Sequence, residues 1–137
     1  YLHNFIDGKF LLLTNNNKDV SETLDYINNL KLNKNNKLLV NGFYFVYYYT
    51  NNTPILYYWA YYDTYYTKDG TACLTCKQVP GEISKRLLNL NVEYILTTNA
   101  NNTYNRDFEN FLKGYTTKVF NTVYGYEIYR INTGTAQ

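Results

Sequence analysis

The run Leu38-Leu39-Val40 limits the possible folds more than any other stretch of this chain. It is short, wholly apolar and closed at both ends by polar turns, Asn33 to Asn36 before it and Asn41-Gly42 after it. A strand with apolar residues on both faces needs cover on both faces, which helices normally supply around a parallel sheet. Helical periodicity appears where such cover is needed. Val20, Leu24 and Ile27 share one face of a helix from Val20 to about Leu32. Asp19 followed by Glu22 has the spacing of a capping box at its start. Ile83, Leu87 and Leu90 share one face of a second helix, Gly81 to Leu90. Tyr104, Phe108, Phe111 and Leu112 mark a third, with Gly114 at a C-cap position.

Strands fall between these segments. Phe10 to Leu13 is an apolar run. Phe43 to Tyr49 fits both the helical and the strand period. Ile55 to Trp59 is a strand with Leu56 and Tyr58 on one face and Ile55, Tyr57 and Trp59 on the other. In Val92 to Thr98, Val92, Tyr94 and Leu96 alternate with Glu93, Ile95 and Thr97. Thr117 to Phe120 and Tyr126 to Ile131 form a hairpin around Gly125. Helices alternating with apolar strands predict an α/β, three-layer sandwich. Its central sheet is expected to be mainly parallel, with the C-terminal antiparallel hairpin at one edge. The 137 residues suit a single domain, with a frayed tail from Asn132.

Composition excludes several functions. A net charge of +2 and three scattered arginines leave no footprint for nucleic acid. No apolar run reaches the ~18 residues a membrane span needs. The chain has no methionine, so Tyr1 is expected to follow a processing site or to begin a piece of a longer protein. Asn51-Asn52-Thr53 and Asn101-Asn102-Thr103 are acceptors for N-glycosylation at Asn51 and Asn101. With the surface rich in Asn, Thr and Tyr, they point to an extracytoplasmic, cell-surface location.

The chemistry candidates are few. No Gly-x-Ser-x-Gly is present and His3 is the only imidazole available as a base, which argues against a Ser-His nucleophile; a zinc site, which needs three or four ligands, finds one histidine. Cys73-Leu74-Thr75-Cys76 is half of a zinc knuckle without its second half. A thiol oxidoreductase would use the same pair at a helix N-terminus. The surrounding Gly70-Thr71-Ala72 and Lys77 to Pro80 favour instead a local disulfide between Cys73 and Cys76 in an oxidising compartment. No phosphate-binding glycine loop is present and no cofactor or metal is implied. Between Tyr61 and Pro80 lies a long irregular stretch, where function often resides. Tyr61, Tyr62, Tyr65 and Tyr66 exceed what a core can absorb and could contact glycan or another chain, with Asp63 and Asp69 beside them. That aspartate pair also has the form of a glycosidase dyad, against the simpler role of turn formation.

The order of segments carries a resemblance. It runs from the first helix through Leu38-Leu39-Val40-Asn41-Gly42, Tyr49-Thr50-Asn51 and Pro54-Ile55-Leu56 to Ile83-Ser84-Lys85-Arg86-Leu87-Leu88. It continues with Asn91-Val92-Glu93-Tyr94-Ile95-Leu96, Phe108-Glu109-Asn110-Phe111-Leu112, Val119-Phe120 and Tyr126 to Ile131. From Asp19 to Ile131 this resembles the C-terminal extracytoplasmic domain of polytopic membrane glycosyltransferases that use polyprenyl-phosphate-linked sugars. Archaeal and bacterial protein-mannosyltransferase-like members are the most similar. The resemblance implies a non-catalytic outer domain that assists recognition of acceptor, glycan or lipid-linked sugar, joined to the membrane through segments outside this sequence. In that family the catalytic carboxylates lie between membrane helices, so no catalytic residue transfers to this chain. Cys73, Cys76 and the tyrosines depart from the family's pattern. The competing expectation is a free-standing secreted or cell-surface binding protein that uses its tyrosine-rich loop. No oligomeric state is implied.

Overall fold

A computed structural model describes residues 17–43, 46–58, 79–98, 106–123 and 125–133. The expectations for Phe10 to Leu13, His3, Trp59, Tyr104 and the tail beyond residue 133 lie outside them. Leu38, Leu39 and Val40 are completely buried, and they form the middle of strand β1, Lys37–Asn41. Each such side chain removed from water contributes about 1.5–3 kcal/mol. Alternation along the strand divides them. Leu39 joins a cluster with Ile83, Leu87, Ile95, Phe108 and Phe111. Leu38 and Val40 join Ile27, Val46, Leu96 and Ile128 on the other side.

Helix α1, Asn17–Leu30, precedes β1 and supplies Ile27 to the second cluster. A 3-10 turn, Val46–Tyr49, follows β1 and adds Val46 to the same cluster. Strand β2 is Ile55–Tyr57. Helix α2, Pro80–Asn89, then delivers Ile83 and Leu87 to the first cluster. Strand β3 is Val92–Thr98, helix α3 is Arg106–Tyr115, and strands β4 and β5 are Thr116–Asn121 and Tyr126–Ile131.

The fold is α/β, with one five-stranded mixed sheet in the order β2-β1-β3-β5-β4 and three helices among the described residues. Strands β2, β1 and β3 are mutually parallel. Strand β5 is antiparallel to both β3 and β4. The sheet is thus parallel at one end and antiparallel at the other. The terminal hairpin does occupy one edge. Its turn is closed by the Thr122 N–H donating to the Tyr126 carbonyl at 2.9 Å, with Gly125 at φ 100°.

Three local expectations need correction. Asp19 is not an N-cap: the helix already begins at Asn17, so Asp19 lies in its first turn and is buried. A carboxylate there still faces the positive end of the helix dipole. Gly114 is not a C-cap, because α3 continues through Tyr115 and enters β4 with no intervening residue. The Thr116 hydroxyl donates to the Leu112 carbonyl at 2.5 Å, satisfying one of the acceptors a helix end leaves open. Val92 does not share a face with Tyr94 and Leu96 as the alternation predicts. Lys37 pairs with Val92 and Leu38 with Tyr94, so Glu93 is an extra residue in the ladder. A bulge of this kind reverses the alternation, and Val92 packs with Ile95 instead.

Candidate functional site at the carboxyl edge of the sheet

Because β2, β1 and β3 are parallel, their carboxyl ends share one edge of the sheet. The chain leaves β1 toward the face carrying Phe43 and Val46. It leaves β2 and β3 for α2 and α3, whose apolar residues lie in the other cluster. Adjacent strands β1 and β3 therefore send their connections to opposite faces. In open α/β sheets this reversal opens the crevice where ligands bind.

Polar side chains gather there. Asn41, fully buried, ends β1 and pairs in register with Thr97, which is 7% exposed. Thr98 is as deeply placed and pairs with Tyr126 of β5. Buried amides and hydroxyls are stable only when hydrogen-bonded, and Asn41 and Thr98 both have partners. Next to them the backbone is strained. Gly42 has φ 86° and Phe43 φ 37°, two left-handed residues in succession. Glycine adopts this freely, but an aromatic residue does so at a cost of about 1–3 kcal/mol, and such strain clusters at functional sites. The Phe43 ring is held edge-on to Tyr126 and tilted against Tyr49, each at 6.2 Å between centroids.

At the end of β2, burial raises the Tyr57 phenol above its ordinary range, followed by the nearby Tyr48 and Tyr47 phenols. Tyr58 is buried edge-on to Phe108, at 5.1 Å. Leu56 and Tyr58 join one cluster while Ile55 and Tyr57 pack on the other, the division the alternation predicts. Glu127, which pairs in register with Thr97, is engaged. It accepts from Lys118 Nζ at 3.0 Å and from the Tyr129 hydroxyl at 2.8 Å. Amide, hydroxyl and aromatic groups thus line the carboxyl ends of the strands, Asn41, Thr97 and Thr98 among them buried. Among the described residues no group of three His, Cys, Asp or Glu gathers to hold a metal. No helix among them is long and apolar enough to cross a membrane.

Tyr61, Tyr62, Asp63, Tyr65, Tyr66, Asp69, Cys73, Cys76 and Asn101 lie outside the described residues. Their positions in the chain are informative all the same. The first eight belong to the β2–α2 connection and Asn101 to the β3–α3 connection, and both connections depart from this carboxyl edge. Asn51 lies elsewhere: exposed, just before β2, at the opposite edge. Sequence reasoning did not single out Asn41, Phe43, Thr97, Thr98 or Tyr126. The available signal was Asn41-Gly42 directly after a doubly buried strand.

The fold and this edge define an α/β domain with polar and aromatic residues gathered at a topological switch. No known protein family matches the chain, and neither a curated protein nor a solved structure does.

Proposed function

We propose that this chain is the outer, extracytoplasmic domain of a membrane glycosyltransferase-like protein, non-catalytic by itself, which helps to recognise acceptor, glycan or lipid-linked sugar. In this reading the sheet is the middle of a three-layer sandwich and the carboxyl edge is its recognition face. One observation carries it: the tyrosine-rich β2–α2 connection leaves the sheet at the edge where Asn41, Thr97 and Thr98 lie beside the switch between β1 and β3. Aromatic rings stack on the apolar faces of sugars while amides and hydroxyls bond their edges, so the two sets of residues are complementary in chemistry. Backbone amide shifts of the full chain, titrated with short mannose oligosaccharides and with a soluble polyprenyl-phosphate sugar, test the proposal. Saturable shifts at Asn41, Thr97 and Thr98 support it. Shifts confined to other surfaces, or none at millimolar sugar, reject it.

A further inference from the structure

We propose that Asn51 carries an N-linked glycan whose first sugar stacks on the exposed ring of Tyr48, and that the glycan is added before the β1–β2 connection folds. The inference shares with the proposed function only its extracytoplasmic location. It concerns the β1–β2 connection, whose Asn51 lies at the opposite edge of the sheet.

Tyr48 is 76% exposed, which is unusual for a large aromatic ring with an apolar core nearby. It lies in the 3-10 helix Val46–Tyr49, and Thr50 and Asn51 form the turn that follows it. Asn51 is three residues from Tyr48. Tyr47 meets the Tyr48 ring edge-on, at 5.6 Å and 84°, and props it. The backbone at Asn51 is fixed as well: its N–H donates to Asn28 Oδ1 at the end of α1, at 2.8 Å. An exposed acceptor amide on an anchored backbone therefore sits three residues from an exposed, supported ring. The ring's electron-rich face suits the C–H face of a pyranose.

The order of events follows from Thr53. Its hydroxyl belongs to the acceptor triplet that the transferase must read, yet Thr53 is only 4% exposed. Asn52, between them, is held at φ 55°. The folded chain presents the asparagine and hides the threonine. In the transfer, Asn51 Nδ2 bonds to C1 of a lipid-linked sugar. The bond from C1 to the lipid phosphate breaks, the phosphate leaves with the lipid, and the amide proton passes to a base of the transferase.

The test secretes the full chain from a eukaryotic host that N-glycosylates, in an Asn101→Gln background, and trims the glycan to one sugar. Intact mass is expected to show Asn51 occupied. Melting of the trimmed glycoform should lie about 2–4 °C above that of Asn51→Gln, a shift typical of one aromatic contact in a domain of this size. In Tyr48→Ala the same difference should vanish. Because Tyr48 is exposed, that variant keeps its fold. A vacant Asn51, or an unchanged difference in Tyr48→Ala, overturns the stacking. A purified oligosaccharyltransferase should modify the urea-unfolded chain at least tenfold faster than the folded one; equal rates overturn the order of events. Sugar titration of the carboxyl edge reads the proposed function separately, so either idea can fail alone.

Discussion

Phe108 shows what one residue contributes. It is completely buried, edge-on to Tyr58 and tilted against Phe111 at 5.2 Å. Phe108→Ala should cost about 3–5 kcal/mol, the loss of a large ring plus the cavity it leaves. A lower urea midpoint at unchanged m value would show it. Tyr129 contributes to the alkaline limit. Burial chiefly raises its phenol far above the ordinary range, and the hydrogen bond to Glu127 and that carboxylate's charge raise it further. The neutral phenol is thus favoured in the folded state. Its stabilisation is complete below about pH 10, where an unfolded tyrosine ionises, and declines as pH rises from 10 toward the raised value. Urea midpoints between pH 8 and 11.5 should fall above 10, and Tyr129→Phe should make that fall shallower. The surface pairs matter less. Arg130–Glu93 at 3.0 Å is half open to water on the arginine side, so its removal is expected to be near neutral.

At the scale of elements, two glycines give opposite predictions. Gly114 lies within α3, and a methyl group there would meet nothing within 4 Å. Gly114→Ala should therefore stabilise by about 0.5–1 kcal/mol, through better helix propensity and a less flexible unfolded chain. Gly125, at φ 100° in the β4–β5 turn, should do the reverse and lose at least ~1 kcal/mol as alanine. Paired thermal melts of the two variants would measure both signs. The same glycines show how much the sequence revealed. Leu38 to Val40, the helical faces of Ile27, Ile83 and Leu87, and the closing hairpin were legible, because burial imposes a period on the residues. Gly114 was misread because a glycine near a helix end fits both cap and interior. Asp19 was misread for a similar reason: a carboxylate is favoured both at the N-cap and in the first turn. The bulge at Glu93 left no mark, since the register of a ladder depends on two strands and one segment's periodicity reports only itself. Asn41 and Thr97 become a site only when strand order is known, and periodicity does not encode strand order.

For the whole molecule, the mixed sheet separates two tasks. Its parallel part, β2-β1-β3, creates the carboxyl edge with its reversal of connections, while β5 and β4 extend the sheet and bury Ile128 and Ile131. Ligand at the carboxyl edge should protect the amides of β1 and β3 from hydrogen exchange more than those of β4. Equal protection throughout would point to global stabilisation with no localised site.

Strand β5 is the last strand of the described chain, yet it lies inside the sheet between β3 and β4. Synthesis from the ribosome therefore delivers an interior piece after its two neighbours. Until Tyr126 to Ile131 have emerged, β3 keeps a bare row of peptide groups and β4 has no sheet to join. A nascent chain stopped short of Tyr126 accordingly keeps an open strand edge of the kind that invites wrong pairing, however complete its helices are.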